Sequence, residues 1–560
     1  MSSATKDDAS SETRAKVVDS ETSSSHAKTK SEGAIDAEKQ IVVANEAGAV
    51  EEQHEYPGTF KLILITLSLC LAIFLVALDN TIVTTAIPKI TATFNAIEDV
   101  GWYGSAYLLT TASFQLIFGR LYNLAVKRVF LTAILIFEIG SVLCGAAPNS
   151  TTLIVGRAIA GLGCAGIFSG GLIIIAHSVP LQNRPIYTSL IGAMWGISSV
   201  AGPLLGGVFT DKVTWRWCFY INLPVGGVAA LFILIFFQEP KRDKVESMGL
   251  IRRLRTFDPL GTFLFIPCIV CLLLVLQWGG SSFAWNDARI IALFVLFGVL
   301  LIAFIGVQIW MDEQATVPPR ILKNRSIWSG AFFSATLMGA FFSLLFYLPI
   351  WFQAIKGDSA VKSGIRILPL IISSVVGSII SGGIVTYTGY YTPFMIISTI
   401  CLAISCGLLT TLEPTTNQAH YIGYQFLAGF GAGLGIQQSA MAAQNVLEMI
   451  DVPVGVVVVV FAQSIGGALA VAVANNLFVN KLIKSLIKFA PSLNPEEVIQ
   501  LGPTSLKSHI AADVLPGVLK AYNEAVVDAF FVSVFCACVS IIGAAFMEWK
   551  TLKRAPTLAL

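Results

Sequence analysis

Fourteen apolar runs, each about 20 residues or longer, decide what this chain can fold into. They lie at 62–88, 101–122, 129–148, 152–178, 187–210, 217–237, 258–278, 289–310, 327–353, 365–388, 393–412, 420–446, 455–478 and 526–547. A run of that length fits a helix that crosses the hydrocarbon core of a bilayer, where backbone polar groups must be satisfied within the segment. The expected fold is therefore an all-α polytopic membrane protein with 14 transmembrane helices. Composition agrees: 55% of residues are hydrophobic and 12% charged, against about 25% charged in soluble domains.

The remaining segments divide the chain. Residues 1–56 are rich in Ser, Thr, Ala, Glu and Lys, carry twelve acidic and six basic residues, and read as a disordered cytosolic tail. The first apolar run starts near Phe60, too late for a cleaved secretory signal. An N-terminal six-helix bundle is expected over 57–240, a basic cytosolic loop over 241–257 and two linker spans over 258–310. Spans nine to thirteen occupy 311–478, an extracellular loop 479–525, the last span 526–547 and a cytosolic tail 548–560. With the N-terminus inside, the inner loops and tail hold sixteen Lys and Arg, and the outer loops before residue 479 hold seven. That bias places both termini in the cytosol. Within 479–525, Lys481, Lys484 and Lys488 alternate with Leu482, Ile483, Leu486 and Ile487, as in a short helix lying on the outer membrane surface or in a solvated loop helix. Asn149-Ser-Thr151 is a glycosylation sequon in a very short outer loop.

Several function classes fall away. Net charge is +2, so no broad basic field points to nucleic acid. No P-loop is present, and no soluble segment is large enough for ATP hydrolysis. The ten cysteines, including Cys268-x-x-Cys271 and Cys536-x-Cys538, lack the His or second pair that a metal site needs and read as small buried hydrophobes. No cofactor, metal or enzymatic chemistry is expected. Any energy for work must come from an ion gradient.

Three ionisable residues lie well within apolar runs, away from their ends: Asp79 in the first, Glu138 in the third and Arg157 in the fourth. A charge at the bilayer centre costs at least about 2.5–3.5 kcal/mol, so such groups pair, face the interior or work. A carboxyl balanced between desolvation and a nearby cation can take up and release a proton, and arginine stays charged as its partner. Asp79, Arg157 and Glu138 are the candidate proton-coupling residues. Trp195, Gln115, Phe346, Tyr347, Gln353 and Gln437 are candidates to line an apolar cavity edged with amides, which suits amphipathic ligands.

Two further patterns concern helix packing. Gly202-Pro203-x-x-Gly206-Gly207 in the fifth run combines a missing backbone donor with small residues that admit a close neighbour. Arg157-x-x-x-Gly161-x-Gly163 in the fourth run is echoed 268 residues later by Gln425-x-x-x-Gly429-x-Gly431, and Gly466-Gly467 falls near where the same repeat puts Gly206-Gly207. Two duplicated six-helix halves with two inserted spans account for this, an architecture used by transporters.

Leu78-Asp79-Asn80-Thr81-Ile82-Val83, Arg157-x-x-x-Gly161-x-Gly163, Gly202-Pro203-x-x-Gly206-Gly207, Trp215-Arg-Trp217 with Asn222-Leu-Pro224, and Ser363-Gly-Ile-Arg-Ile-Leu-Pro369 follow one another in order. In this the chain resembles the major facilitator superfamily, its fourteen-span drug:proton antiporter branch, and fungal toxin efflux pumps of the gliotoxin and aflatoxin type. The resemblance implies the major facilitator fold, with two six-helix pseudo-repeat bundles and two extra central spans. It implies proton coupling through Asp79 and Arg157, and an antiporter motif at Gly202, Pro203, Gly206 and Gly207. The implied activity is proton-coupled efflux of an amphipathic secondary metabolite, toxin or drug by alternating access. Implied partners are a small-molecule substrate, protons and the bilayer, with the chain acting as a monomer in the plasma membrane, or in a vacuolar or vesicle membrane. Proton-coupled uptake of a nutrient or siderophore, and a non-transporting sensor, share the fold. Asn123 and Val126 depart from the family's loop between spans two and three. Ser198 stands for a glycine, which implies looser packing there, and Gln425 for an arginine, which puts coupling in the first half.

Overall fold

The computed structural model describes residues 56–96, 99–239, 258–280 and 283–553. The expected acidic tail, the basic loop and the end of the C-terminal tail lie outside the described residues. The described chain is helical, with one isolated bridge, Gly279 to Phe283. The bundle comprises α1 (Thr59–Phe94), α2 (Val100–Tyr122), α3 (Val126–Ala146), α4 (Ser150–Ser178), α5 (Arg184–Lys212), α6 (Trp217–Phe236), α7 (Pro259–Trp278) and α8 (Ala288–Met311). It continues with α9 (Arg325–Trp351), α10 (Leu368–Thr388), α11 (Thr392–Leu409), α12 (Gln418–Gly435, resumed at Gln438–Val446), α13 (Val452–Phe489) and α14 (Leu515–Phe546).

Among the described residues, twelve helices are long and apolar enough to cross a membrane. The two other expected spans fall on α2 and α12. Ser, Thr, Gln and Arg residues dilute α2, and α12 breaks at a turn over Ile436 and Gln437. Both pack among the twelve, α2 on α4 and α12 on α10 and α11.

The duplication is visible in which helices touch. In the first half α1 packs on α5 and α6, α4 on α2 and α3, and α3 on α6; in the second half α9 packs on α13 and α14, α12 on α10 and α11, and α11 on α14. Adding eight to each number turns one set into the other. The contacts between halves obey the same exchange, since α5 meets α10 and α2 meets α13. Repeated glycines make the repeated contacts. A Cβ on Gly161 would collide with the Tyr107 carbonyl of α2, and one on Gly429 with the Leu370 carbonyl of α10. α7 and α8 pair with each other, and α7 rests on both α2 and α13, so the inserted pair straddles one of the two seams between the halves.

The helices alternate in direction, so Arg120, Lys127, Arg128, Arg184, Arg320 and Arg325 collect at one end of the bundle, here called the basic end. The halves are shut on each other there. A Cβ on Gly119 of α2 would lie 3.3 Å from the Val454 Cα of α13, and one on Gly382 of α10 would lie 2.8 Å from the Pro185 carbonyl oxygen of α5. The connector after α8 binds both sides. Arg120 donates from Nε to the Ala315 carbonyl at 2.8 Å and from Nη2 to the Glu313 carbonyl at 2.8 Å. Arg320 donates to both carboxylate oxygens of Asp451, at 2.5 and 3.0 Å. Asp258, at the foot of α7, accepts from Gln308 Nε2 at 2.5 Å and from Thr316 N and Oγ1 at 3.1 Å each, which fixes the connector to the inserted pair.

The expected outer loop at 479–525 needs correction. α13 runs on without a break to Phe489, and α14 begins at Leu515. At 1.5 Å per residue, the 38 residues of α13 reach about 57 Å, well beyond a bilayer core of about 30 Å. The lysine-spaced stretch is the distal part of α13, not a separate helix on a membrane surface. Leu482 and Leu486 are fully buried, Lys481 pairs with Asp528 at 3.3 Å, and Ser485 donates to Glu524 at 2.9 Å. Leu482 and Leu486 are thus covered by protein while Ile487 stays exposed, and α14 supplies both polar partners. Only about 25 residues, 490–514, connect the two helices, and short helices at Pro495–Leu501 and Leu506–His509 lie within them.

Candidate functional site

Asp79 sits near the middle of α1, in a run whose apolarity favours helix but leaves the carboxylate no solvent. Its side chain is 1% exposed, as is that of Arg157 on α4, and Arg157 Nη1 donates to Asp79 Oδ2 in a buried ion pair. The guanidinium has further partners. Nε donates to the Tyr103 carbonyl of α2 at 2.8 Å, and the group lies over the Tyr107 ring, 4.3 Å from its centroid. The second Asp79 oxygen accepts from Asn222 Nδ2 of α6 at 3.3 Å, and the same nitrogen donates to Ser141 Oγ of α3 at 3.0 Å. Five helices therefore meet in one polar cluster built on the Asp79–Arg157 pair. A buried pair of this kind is costly to desolvate and costlier still to break on one side, so the cluster holds only while both charges and their donors are present.

Glu138, the second carboxyl of the sequence reading, lies apart from the pair. Both its oxygens are buried and have no hydrogen-bond partner. It lies in a nook walled by Ala72 and Leu75 of α1, Phe137 of α3, Ile167 of α4 and Gly226 of α6. A Cβ on Gly226 would collide with its carboxyl oxygen.

The motif on α5 divides. Gly202 and Gly206 face α1, where a Cβ on either would collide with the hydroxyl of Thr81 or Thr85. Gly207 meets nothing within 4 Å. The helix continues through half-buried Pro203, and the expected loosening at Ser198 is not found. Ser198 is fully buried, its hydroxyl donates to the Phe74 carbonyl at 2.8 Å, and Thr81 Oγ1 donates to the Ser198 carbonyl at 3.1 Å. A serine fits here because a backbone carbonyl of α1 is within reach of its hydroxyl. Nearer the basic end α5 turns a second small-residue face to the other half. A Cβ on Gly192 would lie 2.5 Å from Gln437 Nε2 of α12, and one on Gly196 would collide with Val375 of α10.

The six cavity candidates scatter. Gln115 is buried on α2 with an unpartnered amide oxygen. Trp195 is half-buried and meets Phe168 edge-on, with ring centroids 6.1 Å apart. Gln437 stands against Gly192 at the seam. Phe346 is exposed, while the adjacent Tyr347 is fully buried and donates to Asn475 Oδ1 at 3.5 Å. Gln353 lies beyond the end of α9, in the turn over Phe352–Lys356, and donates to Ser363 Oγ at 2.9 Å. The last two side chains thus bond within the second half. Asn149 Oδ1 accepts from Thr152 N at 2.8 Å and caps α4. Among the described residues no cluster of His, Cys, Asp and Glu could hold a metal ion.

Sequence reasoning left Ser141 and Tyr107 unremarked and quoted Asn222 only as part of a motif. Serine and asparagine in an apolar run carried a signal, since each must find a partner in lipid. Gln425, at the repeat position of Arg157, is fully buried with both amide atoms unpartnered.

The chain matches the Major Facilitator Superfamily model over residues 69–471. It is 55% identical over 511 residues to the MFS-type efflux pump MFS1 of Arthroderma benhamiae, covering 90% of this chain and 95% of that one. It is 52% identical to the efflux pump roqT of Penicillium rubens, over 89% and 92% of the two chains, and 50% identical to the efflux pump aflT of Aspergillus parasiticus, over 90% and 98%. Among solved structures, the human organic anion transporter MFSD10 aligns with a TM-score of 0.56 at 12% identity, covering 85% of this chain and 99% of its own. The proton:xylose symporter XylE aligns at 0.53 and 14% identity, covering 87% and 95%. The helix pairing, the two pseudo-repeats and these matches together establish that the chain is a multi-pass membrane protein of the major facilitator superfamily.

Proposed function

We propose that the chain is a proton-coupled antiporter that exports an amphipathic small molecule, a secondary metabolite or toxin, across the plasma membrane. The basic end faces the cytosol, as the distribution of Lys and Arg favours. The observation that carries the reading is the buried Asp79–Arg157 pair with its donors from α2 and α6. Arginine keeps its charge, so the carboxylate is the member that can titrate. With the basic end shut, a proton reaches Asp79 from the opposite side. Protonation removes the charge that Arg157 is paired with and leaves a buried cation holding only a carbonyl and a ring. That state is unfavourable, and a rearrangement of α1 against α4 relieves it. α1 is fastened to α5 through Thr81, Ser198 and the Gly202–Gly206 face, and α5 abuts the second half at Gly192 and Gly196. A shift at Asp79 is thereby passed to the seam that closes the basic end, and α1 with α5 is the two-state element that both proton and substrate bias.

Relatives named as efflux pumps support outward transport. The test is substrate flux in vesicles with an imposed pH gradient. Accumulation on the acidic side, abolished by a protonophore, is the expected result. Accumulation on the alkaline side contradicts export, and gradient-independent equilibration contradicts coupling.

A further inference from the structure

The Asp79 cluster has a neighbouring layer that the ion pair does not use. On α3, Glu138 is three residues from Ser141; on α6, Gly226 is four residues from Asn222. Residues at those spacings stack on one helix face. The two helices thus face each other in two rungs. One joins Ser141 to Asn222 and through it to Asp79, and the other sets the Glu138 carboxyl against Gly226. α3 starts at the basic end and α6 finishes there, so the Glu138 rung lies one turn, about 5 Å, nearer that end than the Asp79 rung.

Glu138 is in the opposite condition to Asp79. Asp79 has a cation and an amide donor; Glu138 has neither, and both its oxygens are buried among apolar side chains. Of the elements around it, α1 brings Asp79, α4 brings Arg157, already committed to Asp79, and α6 brings Asn222 and no charged residue. An isolated carboxylate in such a nook is prohibitively costly, whereas a neutral carboxylic acid is tolerated. The two carboxyls thus differ in surroundings: Asp79 is paired with a cation and an amide donor, and one turn toward the basic end the Glu138 carboxyl stands among apolar side chains, where only its neutral form rests without cost.

We infer that Glu138 is a second proton-holding site in series with Asp79, which takes the proton Asp79 gives up and passes it toward the basic end. The inference rests on Asp79 being the coupling carboxylate. In the transfer the O–H bond on protonated Asp79 breaks and one forms on ionised Glu138. Asp79 regains its charge and its pairing with Arg157, and Glu138 becomes the neutral acid that its nook requires. Loss of that proton to the side of the basic end then resets Glu138, in the conformation where water reaches the nook. Ser141, hydrogen-bonded to Asn222, stands on the path and carries a hydroxyl that can both donate and accept. The absence of a side chain at Gly226 makes the room for the carboxyl.

The full chain, reconstituted in lipid vesicles, allows three readouts. They are substrate-for-substrate exchange without a gradient, export driven by a pH gradient, and proton movement reported by an entrapped pH dye. Glu138→Gln should keep exchange within about twofold, while driven export and proton movement fall together by about tenfold or more, the scale of losing a proton-transfer group. Glu138→Asp should recover part of the driven rate. Gly226→Ala, which forces the Glu138 carboxyl to shift without removing it from the chain, should alter the pH profile of driven export. Driven export by Glu138→Gln at the wild-type rate with an unchanged pH profile overturns the inference. So does an unchanged profile in Gly226→Ala, which also serves if Glu138→Gln fails to fold. Asp79→Asn is run beside them. If Asp79→Asn loses driven export while Glu138→Gln keeps it, the series relay fails and the Asp79 reading stands. If Asp79→Asn drives export normally, both fail.

Discussion

Gly202 on α5 lies so close to Thr81 on α1 that any side chain at residue 202 would meet the threonine hydroxyl. The contact is reinforced one turn away by the hydrogen bond from Thr81 to the Ser198 carbonyl. Gly202→Val should therefore push α5 from α1 and lower driven export by at least about tenfold, because an overpacked interior contact typically costs 1–3 kcal/mol and here it strikes the moving seam. Gly207→Ala faces open space and should export as the wild type does. Flux at matched surface expression distinguishes the two; equal rates for both variants would remove the α1–α5 contact from the mechanism.

Arg157→Leu leaves Asp79 buried without its cation. Removing one partner of a buried pair costs about 3–5 kcal/mol, so the detergent-purified variant should melt well below wild type. Asp79→Asn combined with Arg157→Leu should regain much of that loss without regaining transport. Melting curves monitored by tryptophan fluorescence check both statements, and a single variant as stable as wild type would contradict them.

The connector after α8 ties the halves at the basic end. Asp451→Asn weakens the two-pronged bond from Arg320. The closed form should lose population, and a cysteine placed in the α2–α13 seam near Gly119 should label faster from the side of the basic end. The hydrogen bond to Asp451 first, and then that to Glu313, carries the Arg320 guanidinium further above its usual range, so Arg320 stays charged at any physiological pH. Labelling rates indifferent to Asp451→Asn would show that the bond does not hold the gate.

Gln425 occupies the position in the second half that Arg157 holds in the first, yet its buried amide has no partner. Replacing an unsatisfied buried amide with an apolar group of similar size is neutral or stabilising. Gln425→Leu should keep driven export within about twofold and melt no lower than wild type. A loss of export with unchanged stability would reveal a role for the amide that the proton-coupling account does not contain.

The sequence made Asp79 and Arg157 legible because a charge inside an apolar run must find its opposite, and each half of the pair was isolated enough to be noticed. The repeat was legible because Gly161 and Gly429 stand at equal spacing from Arg157 and Gln425, and both turned out to admit a neighbouring backbone. What sequence could not supply was direction around a helix. Gly192 and Gly196 look no different from Gly202 and Gly206, yet they face the other half. The length of α13 was hidden for a related reason. Lys481 and Ser485 end an apolar run, and the residues that satisfy them, Asp528 and Glu524, lie some forty residues on. Ser198 does not loosen the contact because a serine in place of a glycine does so only where no acceptor is near, and the Phe74 carbonyl is near.

The central claim is that protonation of Asp79 links the pH gradient to substrate movement. Asp79→Asn fixes that side chain in a neutral form of the same size. Reconstituted in vesicles, it should still exchange substrate across the membrane with no gradient, while export driven by an imposed pH gradient disappears and no proton enters with substrate release. Full gradient-driven export by Asp79→Asn, with protons still moving, would contradict the account.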